Sequence, residues 1–309
     1  MIDGTIRSSI ERLKDARNAV ILAHNYQPPE VQEIADIVGD SLELSRRAAS
    51  TAAETIVFCG VRFMAETAAI LSPDRAVLLP DEYAGCPMAE MITAEALRTL
   101  RREHPRAMVV CYVNSTAEVK AESDICCTSA NAVQVVRSLA DVAEIIFVPD
   151  RHLGDHVSRQ VGRELILWPG YCPTHARIRK ADIDRARARY GEVCVMVHPE
   201  CQRDVRDAAD EVLSTGQMCR YARQSSLRRF VVGTEPGLLH RLALENPRKH
   251  FYPANPQATC PNMKRTSLEK ILWSLQDMAP RIAAPRQVGD RARKALDAML
   301  AVTESCSPT

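Results

Sequence analysis

The chain has 309 residues, enough to bury a large core and to hold two or three domains. Hydrophobic residues make up 46% and charged residues 26%, as in soluble globular proteins. The net charge is +1, and the Lys and Arg residues are spread along the chain. This composition argues against nucleic acid or a membrane as a partner and predicts a cytoplasmic location, since there is neither a long apolar span nor a signal-peptide pattern.

The apolar periodicity predicts alternating helices and strands in the first third of the chain. The predicted elements are a helix over 3–17, a strand over 19–23, a helix over 29–38, a helix capped at Asp40 and Ser41, a strand over 55–59, a helix over 62–71 and a strand over 76–79 that leads to Cys86.

The same order returns twice. The second set comprises a strand over 108–113, a loop over 125–129 that opens a helix through 137, a strand over 144–148, a helix over 155–161 and a strand over 165–168 before Cys172. The third set comprises a strand over 193–197, a helix that opens at 213–216 and runs through 223, a strand over 229–232, a helix over 238–245 and a strand over 251–252 before Cys260, followed by a helical tail broken at Pro280 and Pro285.

These elements recur in register, which predicts internal repeats. The first strands end at His24, Asn114 and His198, with gaps of 90 and 84 residues, and the cysteines are separated by 86 and 88. Apolar strands joined by helices favour parallel sheets. We therefore predict an α/β protein of three pseudo-threefold-related α/β/α repeats, each with a small parallel sheet, over residues 1–104, 105–189 and 190–309.

Eleven cysteines, an odd number, argue against a disulfide framework and for metal, cluster or catalytic roles. Three thiolates on a pseudo-threefold axis match three corners of a [4Fe-4S] cluster, whose fourth iron could bind substrate. Zinc stays an alternative, because Cys172 and His175 are three residues apart, a tolerable zinc spacing. The other eight cysteines are interpreted as packing residues, with Cys306 in the C-terminal tail.

Ligands of parallel sheets bind beyond the carboxyl ends of the strands, where most of the polar candidates fall. Ser41, Ser129 and Thr215 each precede a helix, either as plain caps or as a threefold set of anion sites. Tyr26 and Glu200 are the acid–base candidates. No phosphate-binding glycine loop accompanies them.

At these positions the sequence resembles the quinolinate synthase (NadA) family, over about residues 20–264. The motifs that carry the resemblance are His24-Asn25-Tyr26-Gln27, Gly39-Asp40-Ser41-Leu42, Gly85-Cys86-Pro87-Met88-Ala89, Tyr112-Val113-Asn114, Cys127-Thr128-Ser129-Ala130-Asn131-Ala132, Trp168-Pro169-Gly170-Tyr171-Cys172, His198-Pro199-Glu200-Cys201, Ser214-Thr215-Gly216-Gln217-Met218 and Cys260-Pro261-Asn262-Met263-Lys264.

The resemblance implies a transferase-type enzyme of NAD biosynthesis. It would condense iminosuccinate with dihydroxyacetone phosphate to quinolinate, releasing phosphate and water, with a [4Fe-4S] cluster on Cys86, Cys172 and Cys260. It also implies catalytic roles for Tyr26, Glu200, His198 and His24. The implied substrate-binding residues are His24, Ser41, Tyr112, Asn114, Ser129, His175, His198, Glu200, Ser214 and Thr215.

The implied partners are the two small substrates and, as a supplier of iminosuccinate, L-aspartate oxidase or aspartate dehydrogenase. Two other functions stay open on the residues alone. One is a different Fe–S hydro-lyase, and the other is a zinc-stabilised or cluster-sensing protein without catalytic chemistry.

Overall fold

Three small parallel sheets and the helices that cover them form the molecule. The computed structural model describes residues 2–304, with side chains over 5–302. The helices are α1 (Ile2–Ala16), α2 (Pro29–Ile34), α3 (Ser41–Ser50), α4 (Arg62–Leu71), α5 (Ala94–Glu103), α6 (Ala117–Ala121), α7 (Ala132–Arg137), α8 (Arg151–Val161), α9 (Lys180–Tyr190), α10 (Arg203–Asp207), α11 (Thr215–Gln224), α12 (Leu238–Glu245), α13 (Leu268–Asp277) and α14 (Arg286–Glu304).

The strands fall into three sets of four. They are β1 (Ala19–His24), β2 (Ile37–Gly39), β3 (Thr55–Cys59), β4 (Ala76–Leu78), β5 (Ala107–Tyr112), β6 (Ile125–Cys127), β7 (Glu144–Val148), β8 (Ile166–Leu167), β9 (Cys194–Val197), β10 (Glu211–Val212), β11 (Arg229–Gly233) and β12 (His250–Pro253). Their orders are β2-β1-β3-β4, β6-β5-β7-β8 and β10-β9-β11-β12, with every strand pair parallel. The predicted α/β class with three repeated units is confirmed.

Each sheet has one edge strand that the sequence prediction lacks. Residues 37–38 are predicted as the end of a helix, but α2 stops at Ile34 and β2 follows. Residues 125–127 are predicted as a loop that opens a helix, but they form β6, and α7 begins only at Ala132. No element is predicted for β10, nor for the helices α5, α6, α9 and α10.

An aspartate before each edge strand repeats with the fold. Its backbone N–H donates to the first strand of the sheet, and its carboxylate accepts from the same residue of that strand at 2.7–2.8 Å. The three pairs are Asp36 with Ile21, Asp124 with Val109, and Asp210 with Val195. The identical bond at gaps of 88 and 86 residues fixes the true register of the repeats.

This register corrects the predicted alignment of the first strand ends. His24 lies opposite Gly39 in its sheet, and Tyr112 lies opposite Cys127 in the equivalent place. His24 is therefore equivalent to Tyr112 and His198. The predicted match of His24 with Asn114 is two residues off, because Asn114 is the equivalent of Tyr26.

The strands are apolar on both faces because helices cover both faces. β3 is buried throughout, with Phe58 in one core cluster and Val57 in another, as the period of two requires. The cluster that holds Phe58 also contains residues of the second and third sheets, such as Phe147 and Phe230. One continuous core therefore joins the three repeats.

The two C-terminal helices do not pack mainly on the third sheet. α13 packs against α1 and β3, and α14 packs against α6, β6 and α4. Between them, Ile282 donates its backbone N–H to Val77 of β4 at 2.8 Å. The tail thus ties the first repeat to the second. None of the helices in the described part of the chain is long and apolar enough to cross a membrane, and Cys306 lies outside the described residues.

Candidate active site and metal centre

A cavity of about 240 Å³ lies where the carboxyl ends of the three sheets meet. Its wall contains all but one of the residues singled out from the sequence. Those present are His24, Tyr26, Ser41, Cys86, Tyr112, Asn114, Ser129, Cys172, His175, His198, Glu200, Thr215 and Cys260. Ser214 is the exception, since it is fully buried beside the cavity.

The three cysteines of the repeat pattern differ from the others in exposure. Cys86, Cys172 and Cys260 are partly exposed in the cavity wall, whereas the other seven cysteines in the described chain are buried. Burial raises the pKa of the Cys86 thiol to about 12, with a further contribution from Cys260. Burial, then the Glu200 carboxylate, also raises the pKa of Cys172 well above its usual value. A bound cation would have to displace these protons.

The distances between the three thiols distinguish a site for one metal ion from a site for a cluster of several metal atoms. Among the described residues, the one group with ligand atoms all within 4.8 Å of each other is Cys172, His175 and Glu200. Cys86 and Cys260 lie outside that group, so the three thiols are too far apart to hold one ion. A donor set of three separated thiols suits a group with several metal atoms, and an Fe–S cluster fits it.

Each carboxylate oxygen of Glu200 has a close polar partner. Its Oε2 lies 2.7 Å from His175 Nδ1, and its Oε1 accepts from the Tyr112 hydroxyl at 2.6 Å. Burial would raise the pKa of Glu200, but His175, His198 and these hydrogen bonds hold it well below its usual value. The carboxylate is therefore ionised in the cavity.

A continuous hydrogen-bond chain connects Glu200 to Tyr26. His175 Nδ1 faces the carboxylate, and its Nε2 lies 2.8 Å from Thr234 Oγ1. The Tyr26 hydroxyl lies 2.5 Å from the same Thr234 oxygen. Burial and the Glu200 charge raise the pKa of Tyr26 well above its usual value, so the phenol keeps its proton. A proton can pass along this chain.

Thr234 is a site residue that the sequence reasoning missed. The prediction places it just beyond the strand over 229–232 and gives it no role. In the structure it is 1% exposed and bridges Tyr26 to His175. Its strand-end position was the signal that could have identified it.

His24 and His198 occupy equivalent positions and have equivalent hydrogen bonds. His24 Nδ1 accepts from the backbone N–H of Tyr26 at 3.2 Å, and His198 Nδ1 accepts from that of Glu200 at 3.3 Å. Burial lowers the pKa of both imidazoles to about 3. Each ring is therefore neutral with its proton on Nε2, which makes it a hydrogen-bond donor for a ligand.

Two helices near the cavity are capped by the residue just before the hydroxyl residue: Asp40, which was predicted as a cap together with Ser41, and Ser214. Asp40 caps α3 through the N–H groups of Leu42 and Glu43, and Ser214 caps α11 in a capping box with Gln217. Ser41 and Thr215 are the first residues of these helices, while Ser129 precedes α7 by three residues. The prediction that Ser129 opens a helix is therefore wrong, although all three hydroxyl residues line the cavity.

One buried polar atom in the wall has no partner. Asn114 Oδ1 makes no hydrogen bond among the described residues, although the Asn114 amide nitrogen lies 3.5 Å from Glu200 Oε1. A buried, unpaired acceptor is costly unless a ligand or water satisfies it. Asn114 thus marks a point where a bound molecule would donate a hydrogen bond.

The fold and the site define a class of enzyme in which three α/β repeats enclose a thiol-lined catalytic pocket. The family described as "Quinolinate synthetase A protein" (NadA) matches residues 8–301. A quinolinate synthase of Dehalococcoides mccartyi strain CBDB1 is 54% identical over 297 residues, which cover 96% of this chain and 98% of that protein. The quinolinate synthase of Geobacter metallireducens is 55% identical over 298 residues, with coverages of 96% and 98%. That of Methanoregula boonei is 52% identical over 297 residues, with the same coverages. The chain belongs to the quinolinate synthetase A family.

Proposed function

We propose that the central cavity condenses iminosuccinate with dihydroxyacetone phosphate to give quinolinate, phosphate and two waters, as a step of NAD biosynthesis. The observation that carries this proposal is the convergence of Cys86, Cys172 and Cys260 with the Tyr26–Glu200 chain on one cavity. Family membership supports it, since relatives matched over 98% of their length are named quinolinate synthase.

Cys86, Cys172 and Cys260 would hold a [4Fe-4S] cluster. When bound, the cluster supplies an iron without a protein ligand, which acts as a Lewis acid toward a departing hydroxyl. The fit rests on the three thiols being separated and partly exposed, while the other described cysteines are buried.

The neutral histidines and the hydroxyl residues would bind the substrates. Two carboxylates and a phosphate need many donors, and His24 and His198 each offer an Nε2–H. Ser41, Ser129 and Thr215 add a hydroxyl from each repeat. Asn114 Oδ1 would accept from a substrate hydroxyl or imine N–H. Ser214 would act indirectly, by capping α11 behind Thr215.

Tyr26 and Glu200 would exchange protons with the substrates. Condensation, phosphate loss, ring closure and dehydration each move protons, so one acid and one base in contact serve several steps. The Tyr26 phenol enters as the acid and the Glu200 carboxylate as the base, and the chain through Thr234 and His175 returns the proton between steps. Enclosure of these groups protects the reactive imine from water.

The decisive experiment is quinolinate formation from the two substrates by protein purified and reconstituted without oxygen. A quinolinate product supports the proposal, and its absence with an intact cluster would refute it in favour of another Fe–S hydro-lyase. A colourless protein with one zinc would instead favour the Cys172, His175 and Glu200 group as a single-ion site. Iminosuccinate would come from L-aspartate oxidase or aspartate dehydrogenase, in the cytoplasm.

A further inference from the structure

A second cavity, of about 800 Å³, lies on the outer side of the three segments that carry Ser41, Ser129 and Thr215. We call it the outer cavity. Its lining includes Leu42, Asn131 and Gly216, each within two residues of one of those three residues. Asp40 lines both cavities. The outer cavity therefore lies on the pseudo-threefold axis, directly outside the catalytic pocket.

The three repeats contribute equivalent side chains to the outer cavity. Arg46 of α3, Gln134 of α7 and Arg220 of α11 each lie five residues after the hydroxyl residue of their repeat. All three are exposed and line the outer cavity. Two of the three symmetric positions thus carry a cation above the pocket.

The charge of the lining is strongly positive. Five arginines face two carboxylates, those of Asp40 and Glu43. The five are Arg46, Arg47, Arg220, Arg223 and Arg241. The Asp40 carboxylate is already engaged, since it accepts the N–H groups of Leu42 and Glu43 as the cap of α3.

The arginines divide into structural and unpaired ones. Arg241 donates to Asn25 Oδ1 at 2.8 Å and pairs with Glu245 at 2.7 Å, and Arg223 lies 3.9 Å from the same Glu245. Within the described part of the chain, no carboxylate lies within 4.0 Å of the guanidinium groups of Arg46, Arg47 or Arg220. These three arginines are therefore available to bind a ligand.

Two long contacts join the segments beside the outer cavity. Ser214 Oγ lies 3.4 Å from Asp40 Oδ2, and Gln217 Nε2 donates to Ala130 O at 3.4 Å. Both distances are at the long end for hydrogen bonds, so parting them costs little free energy. These contacts join the third repeat to the first and to the second.

We propose that the outer cavity is an anion-binding vestibule, in which Arg46, Arg47 and Arg220 capture the phosphate or dicarboxylate substrate before it enters the catalytic pocket. This inference rests on the proposed function, because both substrates are multiply charged anions. A cleft with an excess of positive charge raises the local concentration of an anionic ligand, and salt weakens this effect.

The test is steady-state kinetics of the anaerobic holoenzyme with Arg46 and Arg220 both changed to Gln. We expect kcat/KM for dihydroxyacetone phosphate to fall about tenfold at low ionic strength, mainly through KM, and its salt dependence to flatten. A separate measurement of kcat/KM for iminosuccinate shows whether the vestibule serves the phosphate substrate, the dicarboxylate substrate or both. Arg12→Gln is the matched control, since Arg12 lies on α1 and lines neither cavity.

A double variant with the wild-type KM and salt dependence for both substrates would overturn the proposal. If the wild-type protein makes no quinolinate, the proposed function fails, and inorganic phosphate then tests the vestibule directly. Broadening of the phosphate ³¹P NMR signal should be weaker with the double variant than with Arg12→Gln. Equal broadening would contradict the vestibule.

Discussion

At the scale of single residues, the cavity depends on pairs of groups whose protonation is fixed by their neighbours. Glu200 is held ionised by its donors, whereas burial keeps Tyr26 protonated. His24 and His198 stay neutral because burial lowers the pKa of each to about 3. An acid, a base and two neutral donors thus coexist in one cavity.

Tyr26→Phe should remove the proposed acid without disturbing the metal centre. The change deletes only the hydroxyl that contacts Thr234 at 2.5 Å. We expect kcat to fall at least about 100-fold, as for loss of a general acid, while the visible absorption of the cluster is retained. Single-turnover assays of the reconstituted variant measure this, and near-normal turnover would remove Tyr26 from the acid role.

Thr234 provides a sharper test of the proton chain. Thr234→Val keeps the shape but removes the oxygen between Tyr26 and His175, and we expect kcat to fall about tenfold or more, equivalent to one lost hydrogen bond of about 1.5 kcal/mol. Thr234→Ser restores the hydroxyl and should recover most of the activity. Equal activity of the Val and Ser variants would show that the chain is not used.

The sequence identified most of the pocket residues because they cluster at strand ends. The histidines, Glu200 and the three cysteines were predictable from this pattern and from the resemblance. Thr234 was not singled out, because a position just after a strand was the one signal it carried. The caps were only partly predictable, because Asp40 was predicted as a cap together with Ser41, whereas Asn131 at the start of α7 was not.

At the scale of secondary-structure elements, long apolar strands and helices were predictable, and the edge strands β2, β6 and β10 were not. β3, α4, β7 and α12 have the predicted bounds, since each carries a clear apolar pattern. β10 has two residues, too few for any alternation to be seen. The positions of these edge strands are fixed instead by long-range hydrogen bonds, such as the one from the Ile21 N–H to the Asp36 carboxylate.

Two glycines in helices should respond oppositely to alanine. At Gly154 of α8, a Cβ would come within 2.5 Å of Leu167 Cδ2 and 2.9 Å of Phe147 Cδ1. Overpacking of about 1–3 kcal/mol should outweigh the helix-propensity gain of about 1 kcal/mol, so Gly154→Ala should lower the free energy of unfolding. At Gly289 of α14 the nearest atom is Ala284 Cβ at 3.7 Å.

Gly289→Ala is therefore the matched control. It adds a methyl group without a clash, and we expect a gain of about 0.5–1 kcal/mol in the free energy of unfolding. Denaturant unfolding of the two variants beside the wild type measures both effects. A stabilised Gly154→Ala variant would mean that α8 can move away from its sheet.

At the scale of the whole molecule, the central cavity exists only where the three repeats meet. A single core cluster spans all three sheets, and α14 ties the first repeat to the second. The division into three repeats at residues 104 and 189 stays a proposal. The repeat pattern and the parallel sheets were predictable from the sequence. The packing of the C-terminal helices was not, because it depends on contacts between residues far apart in the chain.

A cluster held by one cysteine from each repeat should stabilise the whole molecule. A group that binds only the folded state raises the free energy of unfolding, so anaerobic reconstitution with iron and sulfide should raise Tm by about 5 °C or more. Anaerobic thermal unfolding measures this. The Cys172→Ala variant should gain nothing from the same treatment, and an unchanged Tm for the wild-type protein would argue against a bridging cluster.

The most direct test of the central claim is the iron and acid-labile sulfide content of anaerobically reconstituted protein. The wild type and Cys59→Ala, a buried cysteine outside the cavity, should each hold about four irons and four sulfides per chain. Cys86→Ala, Cys172→Ala and Cys260→Ala should each lose the cluster and quinolinate formation. A full complement of iron and sulfide, with activity, in any one of these three variants would contradict the account.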